Sequence, residues 1–242
     1  MRYLVALIAL ALVPVTAAAQ SAAPAAGEPK APAVLESLYA PRDFGLQTDP
    51  QSPEWRVAPF VTITQDYLKQ DVAGRPTEVR SRWTNGFLYL LFICPFETLN
   101  LKPGANPAVE TPSLWNWDVA EVFIGWDADR ITRYKELQVS PQGEWVDLDI
   151  DRASPRTQQG MAWNSGYLVQ GRVDEANKIW YGAVQIPFGA IDTRPPQVNR
   201  ILRLGLFRIA GVDPARTFYA WQPPGQKNFH VPQAFGSLKL VQ

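Results

Sequence analysis

Short runs of alternating apolar residues, separated by turn residues, constrain this chain more than any other feature. The stretch TEVRSRWTNGFLYLLFICPF at residues 77–96 joins two such runs through Asn85-Gly86. Asn-Gly in this position is the strongest short-range signal for a β-hairpin. Similar runs recur to the C-terminus, and the one helical candidate is a single turn in PFGAIDTRP. The pattern predicts an all-β fold: a single antiparallel β-sandwich, jelly-roll or immunoglobulin-like, with few or no helices after the leader.

The N-terminus has the layout of a secretory signal peptide over residues 1–19. An early Arg2 precedes an apolar run from Leu4 to Val13, and small residues follow up to Ala19. The apolar run is too short to span a bilayer comfortably, so we expect cleavage and no membrane insertion of the mature chain. Residues 20–34 are rich in Ala and Pro and predict a spacer. Residues 35–242 then form one domain, located in the periplasm or secreted.

Composition excludes some partners and leaves others open. The formal net charge is zero and no Lys/Arg-rich block is present, which argues against nucleic acid as a partner. Cys94 is the one cysteine and lies in the apolar run LYLLFICPF, so we expect it to be buried and unpaired. The chain has nine Trp, eight Tyr and eleven Phe, which suit a large β core and also suit stacking against the flat faces of a ligand.

The stretch SLWNWDVAEVFIGWD at residues 113–127 combines core and surface signals. Alternation places Val122, Ile124 and Trp126 on one face of a strand, which we predict to be the core face, and Glu121 on the other. The next two strand-like runs alternate in the same way. If these strands are neighbours, three polar side chains line one sheet surface: Glu121, Glu136 and Gln138.

Four segments in order resemble a known family. They are WNWDVAEVFIG at 115–125, YKELQVSPQGEWVD at 134–147, IWYGAVQIPF at 179–188 and AWQPPGQKNFHVPQAFGSLKL at 220–240. Together they resemble the family 9 carbohydrate-binding modules, and especially the exported bacterial proteins that are similar to that family. The closing FHVPxxFGxL pattern is the most specific of the four. The resemblance covers about residue 35 to the C-terminus.

The resemblance implies a β-sandwich related to DOMON-type folds, in which two aromatic rings clamp a saccharide. Trp115 matches the first clamp position and Phe229 the second, where well-known members have tryptophan. Glu121 matches the strand glutamate, and Gln138 matches a polar position that is arginine in some members. Because Phe229 offers a smaller ring and Gln138 lacks a charge, we expect weaker or redirected sugar binding. Read without the family, Trp115 and Phe229 could equally be packing residues, and Glu121 a solvated strand carboxylate.

The function that these observations favour is a non-catalytic domain that binds a saccharide or polysaccharide. One alternative is a glycoside hydrolase, or an accessory subunit in polysaccharide breakdown, because carboxylates such as Glu121 and Glu136 are available. Another is haem binding, for which His230 and Met161 are the His and Met side chains left after leader removal. A third is an interaction domain that binds no sugar. We assign His230 no chemistry.

No cofactor is predicted from the sequence. The run EWVDLDID places three carboxylates at alternate positions, on Asp147, Asp149 and Asp151. Oxygen-rich clusters suit calcium, and the resemblance leaves a structural calcium ion open. However, the run lacks the spacing of a dedicated calcium loop, and such a stripe is more often a solvated face of a strand.

Overall fold

The computed structural model describes residues 33–72, 74–154 and 161–242. The predicted signal peptide and nearly all of the predicted spacer lie outside the described residues. Within them the fold is all-β, as predicted, and the candidate turn in PFGAIDTRP is a single-turn helix, α1, at Phe188–Ile191. Two 3-10 turns occur at Leu114–Asn116 and Pro232–Ala234. The strands are β1 Val34–Tyr39, β2 Phe60–Ile63, β3 Gln65–Asp66, β4 Thr77–Trp83, β5 Phe87–Pro95, β6 Val119–Gly125, β7 Arg133–Val139, β8 Trp145–Asp151, β9 Leu168–Asp174, β10 Ile179–Pro187, β11 Ile201–Ala210, β12 Thr217–Ala220 and β13 Gly236–Val241.

The strands follow the order β8-β7-β6-β11-β13-β1-β4-β5-β10-β9. Along this path, β4 and β5 form the antiparallel hairpin that Asn85-Gly86 predicts. The pairing departs from a wholly antiparallel sheet at β1, which runs parallel to both β13 and β4. At the margins, β12 pairs with β11 and β3, while β2 pairs with β4. The first strand therefore joins the two halves of the strand order.

The two halves pack against each other through the main hydrophobic core. Side chains of β6, β7 and β11 meet those of β4, β5 and β10 there. Val122, Ile124 and Trp126 belong to this core, which confirms the face that alternation assigned to them. Cys94 is also buried and free, as predicted, and burial raises the pKa of its thiol to about 12. At that pKa the thiol stays protonated and unreactive at neutral pH.

The opposite face of β6, β7, β8 and β11 is covered as well, by the chain that follows β12. Phe229 and Phe235 lie on this face and pack with Phe123, Tyr134 and Phe207. We call this group of side chains the second aromatic cluster, to distinguish it from the aromatic rings of the main core. It also contains apolar residues of β8. Because every residue of β6 is buried, the face on which Glu121 lies is not a solvated surface. Alternation alone could not show this, since the covering segment is distant in sequence.

The acidic stripe of β8 is not a solvated face throughout, and that interpretation is wrong for Asp147. The Asp147 side chain is fully buried, and its Oδ2 accepts a hydrogen bond of 2.6 Å from the backbone N–H of Ser165. The other two carboxylates do approach solvent and form ion pairs with neighbouring strand residues. Asp149 pairs with Lys135 at 2.7 Å and Asp151 with Arg133 at 2.8 Å. The stripe therefore runs from the interior to the rim of the sheet.

Candidate functional site

A cavity of about 250 Å³ opens beside the second aromatic cluster, on the outer face of β6 and β7. Three of the four residues that the sequence singled out, Trp115, Glu121 and Phe229, line it. The fourth, Gln138, is fully buried and is not among the lining residues. The full lining consists of Tyr67, Trp115, Glu121, Phe123, Glu136, Ile209, Phe218, Lys227, Asn228, Phe229 and His230.

The floor of the cavity carries two carboxyl groups from neighbouring strands. In the register of β6 and β7, Glu121 lies opposite Gln138, and Phe123 lies opposite Glu136. The two strands are thus adjacent, which was the condition for the polar surface predicted from the sequence. Glu121 and Glu136 are diagonal neighbours on one face of this strand pair. Both are almost completely buried, with 2% of Glu121 and 3% of Glu136 exposed. The amide Nε2 of Gln138 donates a hydrogen bond of 2.7 Å to Oε1 of Glu136 and so helps to fix the position of that side chain.

Burial shifts the pKa of Glu121, one of the two carboxyl groups on the cavity floor. The pKa of Glu121 lies well above its usual range, first because the carboxyl group is desolvated and second because Glu136 is close. The guanidinium of Arg216 acts in the opposite direction but does not cancel these effects. A neutral carboxyl group donates one hydrogen bond, whereas a carboxylate only accepts. When Glu121 is protonated, it can therefore offer a ligand hydroxyl a donor as well as an acceptor.

The raised pKa of Glu121 predicts a pH-dependent contribution to stability. Between the unfolded value, near 4.5, and the higher folded value, the folded protein holds a proton that the unfolded chain has lost. Stability therefore falls as the pH rises through this window. Glu121→Gln keeps the group neutral, so we expect the variant to be more stable than the parent at about pH 8, with the difference closing toward pH 4.5.

Urea unfolding at several pH values measures this difference. Glu36→Gln is the matched control, because Glu36 is an exposed carboxylate of β1 and should change little. A Glu121→Gln difference that grows on acidification would show that the folded protein favours the charged form of Glu121.

Two aromatic groups of different exposure form the walls. Trp115 stands on the 3-10 turn that follows Ser113, whose φ of 61° is left-handed. The backbone oxygen of Trp115 accepts a hydrogen bond of 2.6 Å from Arg216, and the indole is half-buried against the second aromatic cluster. Phe229 is only 9% exposed, and its ring stacks on Phe207 with the centroids 4.3 Å apart. Trp115 is thus the more open of the two predicted clamp rings.

Sequence reasoning missed several lining residues that come from distant parts of the chain. Tyr67 and Phe218 stack with their ring centroids 5.0 Å apart, and the backbone N–H of Tyr67 donates to the Phe218 oxygen at 2.8 Å. His230, to which no chemistry was assigned, shares a 2.7 Å hydrogen bond with the Tyr134 hydroxyl through Nδ1. Its Nε2 lies 3.8 Å from Oε2 of Glu136, and its backbone N–H donates to Asn228 Oδ1. Nothing in the local patterns around these residues marks them as neighbours.

Two other properties of the described residues bear on the type of site. No group of three or more His, Cys, Asp or Glu in ranges 33–72, 74–154 and 161–242 is arranged to hold a metal ion. In the same ranges no helix is long and apolar enough to cross a membrane. The side chains that line the cavity described above carry carboxyl, amide, imidazole, ammonium and aromatic groups, together with the apolar Ile209.

Comparison with known proteins supports the fold assignment. A family 9 carbohydrate-binding module from Caldicellulosiruptor kristjanssonii, solved with cellotriose, superposes with a TM-score of 0.62 at 12% identity, over 86% of this chain and 94% of that one. A family 9 module from the same organism, solved with glucose, superposes with a TM-score of 0.60 at 13% identity, over 86% of this chain and 95% of that one. A Bacteroides uniformis protein whose name proposes carbohydrate binding gives 0.68 at 13% identity, over 87% and 100%. No protein-family profile and no curated protein sequence matches the chain. The chain thus shares the fold of family 9 carbohydrate-binding modules.

Proposed function

We propose that this chain is an exported, non-catalytic domain that binds a saccharide in the cavity beside the second aromatic cluster. The observation that carries the proposal is the combination of the half-buried Trp115 ring with the two buried carboxyl groups of Glu121 and Glu136 in one cavity. A pyranose ring has an apolar C–H face and a rim of hydroxyls. The apolar face suits the aromatic wall of the cavity, and the hydroxyls suit the carboxyl groups of its floor. The pattern at residues 1–19 supports export to the periplasm or the exterior.

Each lining group has a defined role in this proposal. Trp115 stacks on the apolar face of the sugar, and Phe229 closes the far side with the part of its ring that Phe207 leaves uncovered. Glu121 and Glu136 hydrogen-bond to the hydroxyls. Gln138 does not touch the sugar but positions Glu136 through their 2.7 Å hydrogen bond. Because Phe229 is nearly buried, most of the stacking affinity depends on Trp115.

The structural neighbours suggest which saccharides to test first. Two of them are described as complexes with cellotriose and with glucose, which are neutral sugars built of glucose units. The modest size of the cavity, about 250 Å³, favours recognition of one or two sugar units over a long chain segment. We therefore take glucose and short cello-oligosaccharides as the first probes. A wider panel of plant and bacterial polysaccharides follows.

Removal of the Trp115 ring tests the proposed clamp. We expect Trp115→Ala to keep a cooperative unfolding transition, because the indole is half-buried outside the main core. We expect the variant to lose about 1–3 kcal/mol of affinity for the sugar that the parent binds, as aromatic stacking platforms do. Isothermal titration calorimetry with the tightest member of the panel measures the loss.

Trp117→Ala is the matched control, because Trp117 is also half-buried and follows the same turn but does not line the cavity. It should bind the sugar as the parent does. Equal affinities of the parent and Trp115→Ala would make Trp115 a packing residue. The proposal that Trp115 clamps a sugar would then be wrong.

A glycoside hydrolase is the second candidate, because one cavity holds two carboxyl groups and one of them has a raised pKa. Retaining and inverting glycosidases use such a pair as acid and as nucleophile or base. Prolonged incubation with cellotriose, followed by chromatography of the products, separates the candidates. A binding domain leaves cellotriose intact. Release of glucose by the parent, abolished in both Glu121→Gln and Glu136→Gln, would establish the hydrolase.

A further inference from the structure

A second cavity, of about 260 Å³, lies between the end of β5 and the chain that joins β11 to β12. None of its lining residues belongs to the proposed sugar site. Apolar side chains such as Phe96 and Val212 form part of its wall. Its lining also includes the hydrogen-bonding side chains of Arg75, Glu97, Thr98, Arg208, Thr217 and Tyr219. Two guanidinium groups therefore belong to the lining of one small cavity.

Arg208 is the more constrained of the two arginines. It is 1% exposed and fixed by two hydrogen bonds, from Nη1 to Thr77 Oγ1 at 3.0 Å and from Nη2 to the Pro95 oxygen at 2.8 Å. Its Nε is buried and has no hydrogen-bond partner among the described residues. Within ranges 33–72, 74–154 and 161–242, Arg208 also forms no ion pair. A buried charge without a direct ion pair is costly. Asp118 interacts with this charge at longer range, and the ring centroids of Tyr219 and Trp180 lie 5.2 and 5.9 Å from the guanidinium carbon.

Arg75 lines the same cavity. Its Nη2 forms an ion pair with the exposed Glu97 at 2.7 Å. Its Nη1 is buried and, in the described part of the chain, has no hydrogen-bond partner. Tyr219 lies close to both arginines: burial raises the pKa of its hydroxyl, while Arg208 and Arg75 act in the opposite direction. Both arginines and Tyr219 thus line the cavity, and each guanidinium group has one buried nitrogen without a hydrogen-bond partner among the described residues.

We propose that this cavity binds a small carboxylate anion between Arg75 and Arg208, with the Tyr219 hydroxyl as a third contact. Guanidinium donors match the planar, two-oxygen geometry of a carboxylate. The proposal is independent of the sugar site. An acidic monosaccharide and a simple organic acid share the same carboxylate chemistry, and the experiment below distinguishes them.

Nearby acidic groups favour a singly charged ligand. Glu97 stands beside Arg75 at the mouth. Asp118 lies near Arg208: its Oδ1 accepts a 2.6 Å hydrogen bond from the backbone N–H of Gly211, and burial raises its pKa to about 6. At neutral pH these two carboxylates offset much of the charge of the two arginines. A doubly charged sulfate or phosphate ion is therefore disfavoured relative to a carboxylate.

The test is a titration followed by the amide NMR signals of Gly211 and Tyr219, at low and constant ionic strength. The probes are sodium acetate, sodium galacturonate, sodium sulfate and neutral galactose. We expect saturable shifts with galacturonate, with or without acetate, weaker binding of sulfate and no shift with galactose. Binding of acetate and galacturonate alike identifies a simple carboxylate site, whereas binding of galacturonate alone identifies an acidic sugar as the ligand.

Variants distinguish a built site from general charge attraction. Arg75→Gln should fold normally, because that side chain is partly exposed, and should weaken carboxylate binding about tenfold or more, as loss of a charged hydrogen bond does. Arg42→Gln removes the same charge from an exposed position that does not line the cavity, and should leave the affinity unchanged. Trp115→Ala should also leave it unchanged, whatever happens to sugar binding. The proposal is overturned if neither carboxylate gives a saturable shift, if Arg75→Gln binds as the parent does, or if sulfate binds more tightly than both carboxylates.

Discussion

Trp126→Ala is expected to lower the free energy of unfolding by about 3–5 kcal/mol, as large-to-small changes of buried aromatic residues do. Trp126 is 7% exposed and packs in the main core with Val122 and Ile124. The guanidinium groups of Arg194 and Arg200 lie 5.1 and 5.0 Å from its ring, so truncation also removes two cation–π contacts. Guanidinium chloride unfolding of the mature domain, followed by circular dichroism, measures the loss.

Trp115→Ala is the natural comparison, because it removes the same side chain only eleven positions earlier in the sequence. Its indole is half-buried against the second aromatic cluster, so we expect a clearly smaller loss of stability than for Trp126→Ala. Equal losses for the two variants would mean that Trp115 is as much a packing residue as Trp126. The separation of core and binding roles within SLWNWDVAEVFIGWD would then fail.

Gly171→Ala is expected to destabilise the fold by about 3 kcal/mol or more, at the upper end of overpacking effects. Gly171 lies in β9, where an added Cβ would stand 2.4 Å from the backbone nitrogen of Gly143 and 2.6 Å from the oxygen of Pro141. A third backbone atom, the oxygen of Ser140, would lie 2.7 Å away. All three are main-chain atoms of the β7–β8 turn and cannot rotate aside, so the turn and β9 would have to separate.

Gly189→Ala provides the control for this prediction. Gly189 lies in α1, and an added Cβ there would meet no atom within 4 Å. Alanine is the better helix former, so this variant should be as stable as the parent or slightly more stable. Thermal unfolding of both variants is sufficient. A Gly171→Ala protein that melts with the parent would show that β9 does not pack against the β7–β8 turn as closely as described.

The strands and the main core were predictable because their signals are local. Asn85-Gly86 fixes a hairpin, and alternation within one strand is enough to place Val122, Ile124 and Trp126 together. The parallel pairs of β1 were not predictable in this way. They join β1 to β13 and to β4, which are both distant from it in the sequence, and parallel pairing leaves no turn in the sequence to mark it.

The site was predictable only in part, because its second wall comes from elsewhere in the chain. The sequence placed Glu121 off the main core but could not show that Phe229 and its neighbours cover that face. Burial of Glu121, Asp147 and Gln138 depends on segments that are distant in sequence and meet them only in the folded chain. For the same reason Tyr67 and His230 had no local pattern that linked them to the cavity. Only the family resemblance connected Trp115 with Phe229 before the structure did.

The most direct test of the central claim follows the indole N–H signals of the nine tryptophans during a sugar titration. ¹⁵N-labelled mature protein is titrated with glucose, cellotriose and the wider panel, and the signals are assigned with single Trp→Phe variants. We expect a saturable shift of the Trp115 signal with at least one saccharide, while the signal of the fully buried Trp180 stays in place. Sugar binding that leaves the Trp115 signal unmoved, or a panel in which no saccharide moves it, would contradict the proposed sugar site.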